Sequence, residues 1–410
     1  GLRRLEPWDQ HVPEVIALGL AAGLFYLVAV HLVLRPKLSD QRAALFLILA
    51  AAVVFRLTLV GTAPTLSDDL YRHQWEGRIQ VAGWNPYLVA PADPRLAPLR
   101  DGNFARIPGQ QVPAAYPPLA ELYFYALALV DGGETSFKWA ALALDLATLV
   151  IVVLLLYARR EPRERVLLYA WCPLVVMEFA GNGHYDALVL TALLLANWLI
   201  IRGQKAASML ALAGASLGKW FPGLALPVFG VRAGWRGAAV FLGAGAVLTW
   251  PYLEAGWRLV SGLEAYAEQW RNNESLFALL SWATQRDDVA AGLALGAVVG
   301  LMLHAARTGT EPLRACYWLV GAILLLAPSV FPWYVTWLVP FLCFFPNTAG
   351  LLFSVTVLLS YHVIIGYRAL GVWHYEPWLV ALEYLPVYAL LLWRIVKRQG
   401  ARPCPTQSLP

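Results

Sequence analysis

Residues 43–80 read AALFLILAAAVVFRLTLVGTAPTLSDDLYRHQWEGRIQ, and their two halves decide the fold class. Residues 43–60 are apolar except for Arg56 and Thr58, long enough to cross hydrocarbon, which takes roughly 17–25 helical residues. Residues 65–80 then gather Asp68, Asp69, Arg72, His73, Glu76 and Arg78. A membrane span thus hands over directly to a charged segment. Solid apolar runs recur along the chain, which as a whole is 59% hydrophobic and 14% charged, where a soluble domain carries about 25% charge. The apolar runs are solid rather than alternating, which excludes a transmembrane β-barrel. The fold class is an all-α polytopic membrane protein.

Length and hydrophobicity predict about 12 spans, near 15–34, 43–60, 138–157, 166–181, 186–201, 206–229, 237–253, 288–306, 315–328, 333–346, 348–365 and 378–393. Residues 118–131 form a shorter apolar piece that is expected not to cross. In 206–229, "LGKWFPG" interrupts the run and suggests a hairpin of two half-spans lining a cavity. The first run, from near Val15, lacks a small-residue cleavage site and reads as a retained span. No internal repeat or low-complexity linker stands out, so residues 1–410 read as one domain.

Basic residues set the orientation. Arg35, Lys37 and Arg42, then Arg159, Arg160, Arg163 and Arg165, Arg202 with Lys205, Arg232 with Arg236, Arg307 with Arg314, and Lys397 with Arg398 mark cytoplasmic loops. The net charge of +5 lies largely in these loops and is no nucleic-acid signature. The opposite face then carries 61–117, "GNGHYD" and the segments around "EQWRNNES", "PSVFPW" and "YRALGVWHYEP". These are rich in Asp, Glu, Asn, His, Trp and Tyr, residues that recognise sugars through ring stacking and directional hydrogen bonds. Cys172, Cys316 and Cys343 lie in apolar runs and Cys404 in the tail, with no C-x-x-C, so neither zinc nor a disulfide framework is indicated. There is no phosphate-binding G-x-x-x-x-G-K-[ST] loop and no G-x-S-x-G.

Each polar cluster has an ordinary structural reading and a functional one. Asp68 and Asp69 suit the first turn of a helix, with Arg72 and Glu76 continuing one face by i, i+4 spacing. The same carboxylates, placed where a span leaves the membrane, suit a general base tuned by partial desolvation. Asn182, His184 and Asp186 in "GNGHYDAL" fit a polar turn with a helix start, and their density also fits a binding site. Metal ligation by His184 and Asp186 finds no second ligand pair, and no metal or other cofactor is expected. Lys219 either snorkels to an interface or faces a water-filled cavity. Arg271 sits in a solvated loop or clamps a phosphate with two bonds. Trp333 and Tyr334 fit an aromatic belt at the start of a span.

Together, "SDDLYRHQWEGRIQVAGWNPY" (67–87), "AYPPL" (115–119), "GNGHYDAL" (181–188), "LGKWFPGLALP" (217–227) and "PSVFPWYVTWLVPF" (328–341) resemble the GT-C class of membrane glycosyltransferases. The likeness is closest to bacterial mannosyltransferases that use a polyprenyl-phosphate sugar, and it runs from about residue 43 to 393. It implies a GT-C-like bundle, a large first external loop carrying interfacial helices, and a catalytic acid residue in that loop. It also implies a lipid-phosphate-linked donor reached from the outer leaflet of a bacterial plasma membrane, and a lipid or glycan acceptor. In such families the first residue of the acidic pair is commonly the base, which points to Asp68, with Asp69 beside it. Many relatives read His-Pro-Trp-Tyr where this chain has Phe331, Pro332, Trp333 and Tyr334. Another cation must therefore meet the phosphate, and Lys219, Arg271 and Arg72 are the candidates. Glu76, Asn182, His184, Asp186, Trp333 and Tyr334 are then expected at the acceptor and sugar. A lipid phosphate is a good leaving group, so one base and phosphate-binding cations suffice, and inversion follows. The rival readings are a transporter or flippase of lipid-linked sugars, which would show repeats or broken helices, and a polysaccharide ligase or polymerase.

Overall fold

The computed structural model describes residues 1–35 and 41–397 in full, and the backbone of 398–400. Lys37, the Arg398 side chain and Cys404 lie outside the described residues. The described chain is helical, with no strand and one isolated bridge between Asn272 and Ser329. The principal helices are α1 (Val12–Val33), α2 (Gln41–Leu59), α3 (Asp69–Val81), α4 (Pro118–Val130), α5 (Glu134–Ala158), α6 (Asp186–Ile201), α7 (Lys205–Gly218), α8 (Leu226–Thr249), α9 (Ser261–Gln269), α10 (Asp287–Arg307), α11 (Pro312–Leu326), α12 (Thr348–Thr356), α13 (Val363–Leu370) and α14 (Pro377–Gly400).

Among the described residues, seven helical runs are long and apolar enough to cross a membrane, and eight if one sharply bent pair counts as a single span. Twelve were expected, and seven of the expected runs form helical runs of that length. The seven coincide with expected runs at 15–34, 43–60, 138–157, 237–253, 288–306, 348–365 and 378–393. The other runs fail for backbone reasons. Pro173 starts a new helix in the middle of 166–181, and the helix Pro173–Gly181 meets α6 at 119°. Run 206–229 ends as helix at Gly218, and Lys219 takes an extended conformation. The run 333–346 holds two one-turn helices, Pro332–Val335 and Val339–Leu342, each with a proline in its first two positions. Proline lacks the N–H that would continue the ladder. Hydrophobic length registers none of these breaks, although the "LGKWFPG" interruption marks the one at Lys219. α4, with 13 residues, spans about 20 Å at 1.5 Å per residue, short of the hydrocarbon core.

Two of the breaks, at Lys219 and at the start of α6, lie together at the ends of α6 and α7 remote from the basic residues Arg202 and Lys205. At the basic end, Arg159 pairs with Glu311, and Arg232 donates to the carbonyls of Gly309 and Thr310 at 2.8 and 2.9 Å. At the opposite end, α3 packs against α4. A Cβ on Gly77 would run into the backbone carbonyl of Phe124, so the close approach of these helices requires glycine there. Gly183 adopts φ +74° in the turn that leads into α6.

Between the ends, Arg56 is fully buried. Its guanidinium donates to both Asp145 oxygens at 2.5 and 3.1 Å and to the Ala170 carbonyl at 2.7 Å, while Tyr169 donates to Asp145 at 2.6 Å. The pair ties α2 to α5 and to the start of the broken span. Removing one partner leaves an uncompensated charge in an apolar interior. Arg56→Met is therefore expected to destabilise the fold by about 3–5 kcal/mol, seen as a lower melting midpoint in detergent.

Candidate active site

The site begins where α2 ends. The chain turns through 61–68 and enters α3 with Asp68 at the N-cap and Asp69 as the first helical residue. Two cavities, of about 370 and 380 Å³, meet beside this helix start. Asp69, Pro108, Gly109, Trp270, Phe331 and Trp333 line both. The first cavity continues between Lys219, Asp186, Tyr334 and Trp337 towards apolar residues Leu263 and Ile323. The second opens among Asp68, Arg271, Asn272, Tyr361, Arg368 and Trp373.

The two aspartates are in different electrostatic situations. One Asp68 oxygen accepts from Arg106 at 2.8 and 3.1 Å and from Arg368 at 3.1 Å. Arg106 also donates to the Tyr71 hydroxyl at 2.6 Å, and Arg368 pairs with Asp9 at 3.2 Å. Asp68 is thus a joint between the N-terminal segment, α3, α13 and the loop at 104–106. Asp69 has no ion-pair partner among the described residues. Burial raises its carboxyl to about 7, and Asp186 and Asp68 push the same way, while Lys219 and Arg72 oppose them. A carboxyl near 7 is matched to take a proton from an alcohol at neutral pH. Of the two aspartates expected to be catalytic, Asp68 is ion-paired and Asp69 is not, among the described residues.

Lys219 lies where expected, on the wall of the first cavity. It ends α7, pairs with Asp186 at the start of α6, and sits over the rings of Tyr334, Trp337 and Tyr185 at 4.7, 4.8 and 5.2 Å. Trp337 donates to the same Asp186 oxygen at 2.6 Å. Trp333 and Tyr334 are in the site, held by a stacked series in which Trp333 lies 4.5 Å from Phe331 and 4.2 Å from His184.

Other expected residues fall elsewhere. Arg72 borders the first cavity, but its guanidinium is committed to Glu76 at 2.6 Å and to the carbonyls of Pro108, Gly109 and Val112. It shapes the loop that walls both cavities. Glu76 is buried behind it and lines neither cavity. Arg271 borders the second cavity and is paired with Glu274 and Asp287 at 2.7 and 2.9 Å. Asn182 and His184 are buried and line neither cavity. Asn182 donates to Glu178 at 3.2 Å and His184 backs Trp333. Helical spacing put Arg72 and Glu76 on one face with Asp68 but could not say that this face turns inward.

Comparison with protein-family models bears directly on this arrangement. Residues 2–234, more than half of the chain, match the model described as alpha-(1->6)-mannopyranosyltransferase, N-terminal domain, and residues 282–396 match the MptB C-terminal domain. The chain belongs to this mannosyltransferase family. It is a membrane glycosyltransferase of the GT-C type. Comparison with curated proteins gives no match. The matched N-terminal portion of the mannosyltransferase includes Asp68, Asp69, Asp186 and Lys219, and the C-terminal portion includes Phe331 to Tyr334 and Arg368.

Arg106, Arg368, Trp337 and Tyr185 escaped the sequence reading. Each is unremarkable in its own segment and acquires a role only through a partner 38 to 300 positions away, or through a shared cavity wall. A double-mutant cycle on Lys219→Met and Asp186→Asn is expected to give a coupling energy of about 0.5–3 kcal/mol in thermal unfolding, because each single change strands a charge that the other would remove.

Proposed function

We propose that this mannosyltransferase transfers its sugar with inversion from a polyprenyl-phosphate donor to an acceptor hydroxyl, on the membrane face opposite the basic loops. The observation that carries this reading is the carboxylate of Asp69, free of any ion pair among the described residues, on the wall common to two cavities. One cavity holds the donor and the other the acceptor. The first suits the donor, because a single ammonium within aromatic rings adjoins an apolar wall suited to a prenyl chain. Asp69 accepts the proton of the acceptor hydroxyl. The acceptor oxygen bonds to the anomeric carbon from the side opposite the leaving group. The bond from that carbon to the phosphate oxygen breaks, and its electron pair leaves with the lipid phosphate. Lys219 stabilises the charge that develops there. Asp68 works at one remove, holding Arg106 and Arg368 beside the second cavity. The flippase reading explains a cavity with an apolar wall but assigns no work to a carboxyl near 7, and membership in a mannosyltransferase family weighs against it.

The test is turnover of a polyprenyl-phosphate mannose donor by purified protein, read as released polyprenyl phosphate. Asp69→Asn is expected to lower kcat by about 10²–10⁴-fold with an unchanged melting midpoint. Asp68→Asn is expected to act mainly on KM and stability. If Asp68→Asn abolishes chemistry while Asp69→Asn remains active, the base is Asp68.

The base works in its ionised form, and its carboxyl is raised to about 7. kcat/KM is therefore expected to climb as pH rises through about 7 and to level off above it. A profile flat from pH 5 to 8 would contradict the assignment.

A further inference from the structure

A third cavity, of about 480 Å³, shares no lining residue with the other two. It lies between α10, α11, α12 and α14, towards the basic end of the bundle. Its walls are apolar, with Leu301, Trp318, Leu324, Phe353, Val387 and Leu391 among them. Gly321 opens it, since a Cβ there would meet nothing within 4 Å. The polar groups are collected at one end. His304 lines the cavity one turn before the end of α10, and the Asn347 amide donates to the Tyr317 hydroxyl at 3.0 Å.

Three arginines follow or precede cavity-lining residues by one helical turn without lining the cavity themselves. Arg314 is one turn before Tyr317 and lies over the ring of Phe345 at 4.5 Å, itself 5.3 Å from the Tyr317 ring. Arg307 follows His304 by one turn on α10, and Arg394 follows Leu391 by one turn on α14. None of the three makes an ion pair among the described residues. An apolar slot capped by hydrogen-bonding groups and unneutralised guanidiniums matches one chemistry, that of a lipid with an anionic headgroup. The site of chemistry, by contrast, has its Asp68, Lys219 and Arg271 charges internally paired.

We propose that this groove binds an anionic diacyl phospholipid of the cytoplasmic leaflet, with one acyl chain beside Gly321 and the phosphodiester at Tyr317, Asn347 and Arg314. The inference is independent of the catalytic reading, since it uses none of the same residues. Native mass spectrometry of the full chain, titrated with phosphatidylglycerol or phosphatidylcholine, tests it. Phosphatidylglycerol is expected to add as one saturable adduct, with phosphatidylcholine binding weaker and unsaturated. Gly321→Leu, which fills the slot without displacing neighbours, is expected to abolish the saturable adduct. Arg314→Gln with Arg394→Gln is expected to weaken it about 25-fold. Both substitutions leave the helices intact by circular dichroism, because Arg314 is exposed, Arg394 only half-buried, and leucine is a better helix former than glycine. Equal binding of the two lipids, or a phosphatidylglycerol adduct unchanged in both variants, would overturn the site. Displacement of phosphatidylglycerol by polyprenyl phosphate at equal concentration would overturn the choice of a diacyl lipid.

Discussion

The ion pair between Lys219 and Asp186 is the interaction around which the catalytic end is built. It joins the C-terminal end of α7 to the N-terminal end of α6, so each charge also meets the helix dipole of the opposite sign. One helix ends and the other begins there, and irregular backbone inside a membrane bundle is tolerable only where protein or a cavity covers it. The pair, the Trp337 indole and the rings of Tyr334 and Tyr185 supply that cover, and the cavity they surround is the first of the two that meet at Asp69.

The same logic sorts the remaining charges. Arg56 and Asp145 neutralise each other in the interior and fix helix positions. Arg72 pairs with Glu76, and Asp68, Asp9, Arg106 and Arg368 pair with one another around the loop above the cavities. Asp69, which lines both cavities, has no ion-pair partner among the described residues. A group kept partly desolvated and unpaired is held away from its ordinary ionisation, and proton-transfer chemistry uses that displacement. Asp69 and Asp68 are neighbours in sequence with opposite fates, one at the meeting of two cavities and one locked by two guanidiniums.

The family match gives this geometry a chemical setting. A mannosyltransferase must bring an acceptor hydroxyl and an anomeric carbon to one point. Two cavities with a shared wall provide such a point. The aromatic series Phe331, Trp333 and His184 forms part of that wall, with two lining residues stacked in line and His184 behind them.

Much of this was legible in the sequence. Solid apolar runs announced a helical membrane protein, and seven of them form helices of spanning length. The acidic pair, Lys219, Asp186, Trp333 and Tyr334 were all visible as polar or aromatic interruptions, and all border the cavities. The remaining runs could not be judged from hydrophobicity, because a proline or an extended residue ends a helix without changing the apolar count. The different surroundings of Asp68 and Asp69 were also out of reach. Adjacent residues share every sequence neighbour, and their difference arises from Arg106 and Arg368, brought in from distant segments. Composition and pattern by themselves determined the solvent this chain lives in and which side chains interrupt it. Only the tertiary structure decided which of these charges pair and which do not, because electrostatic partnership depends on distance in space.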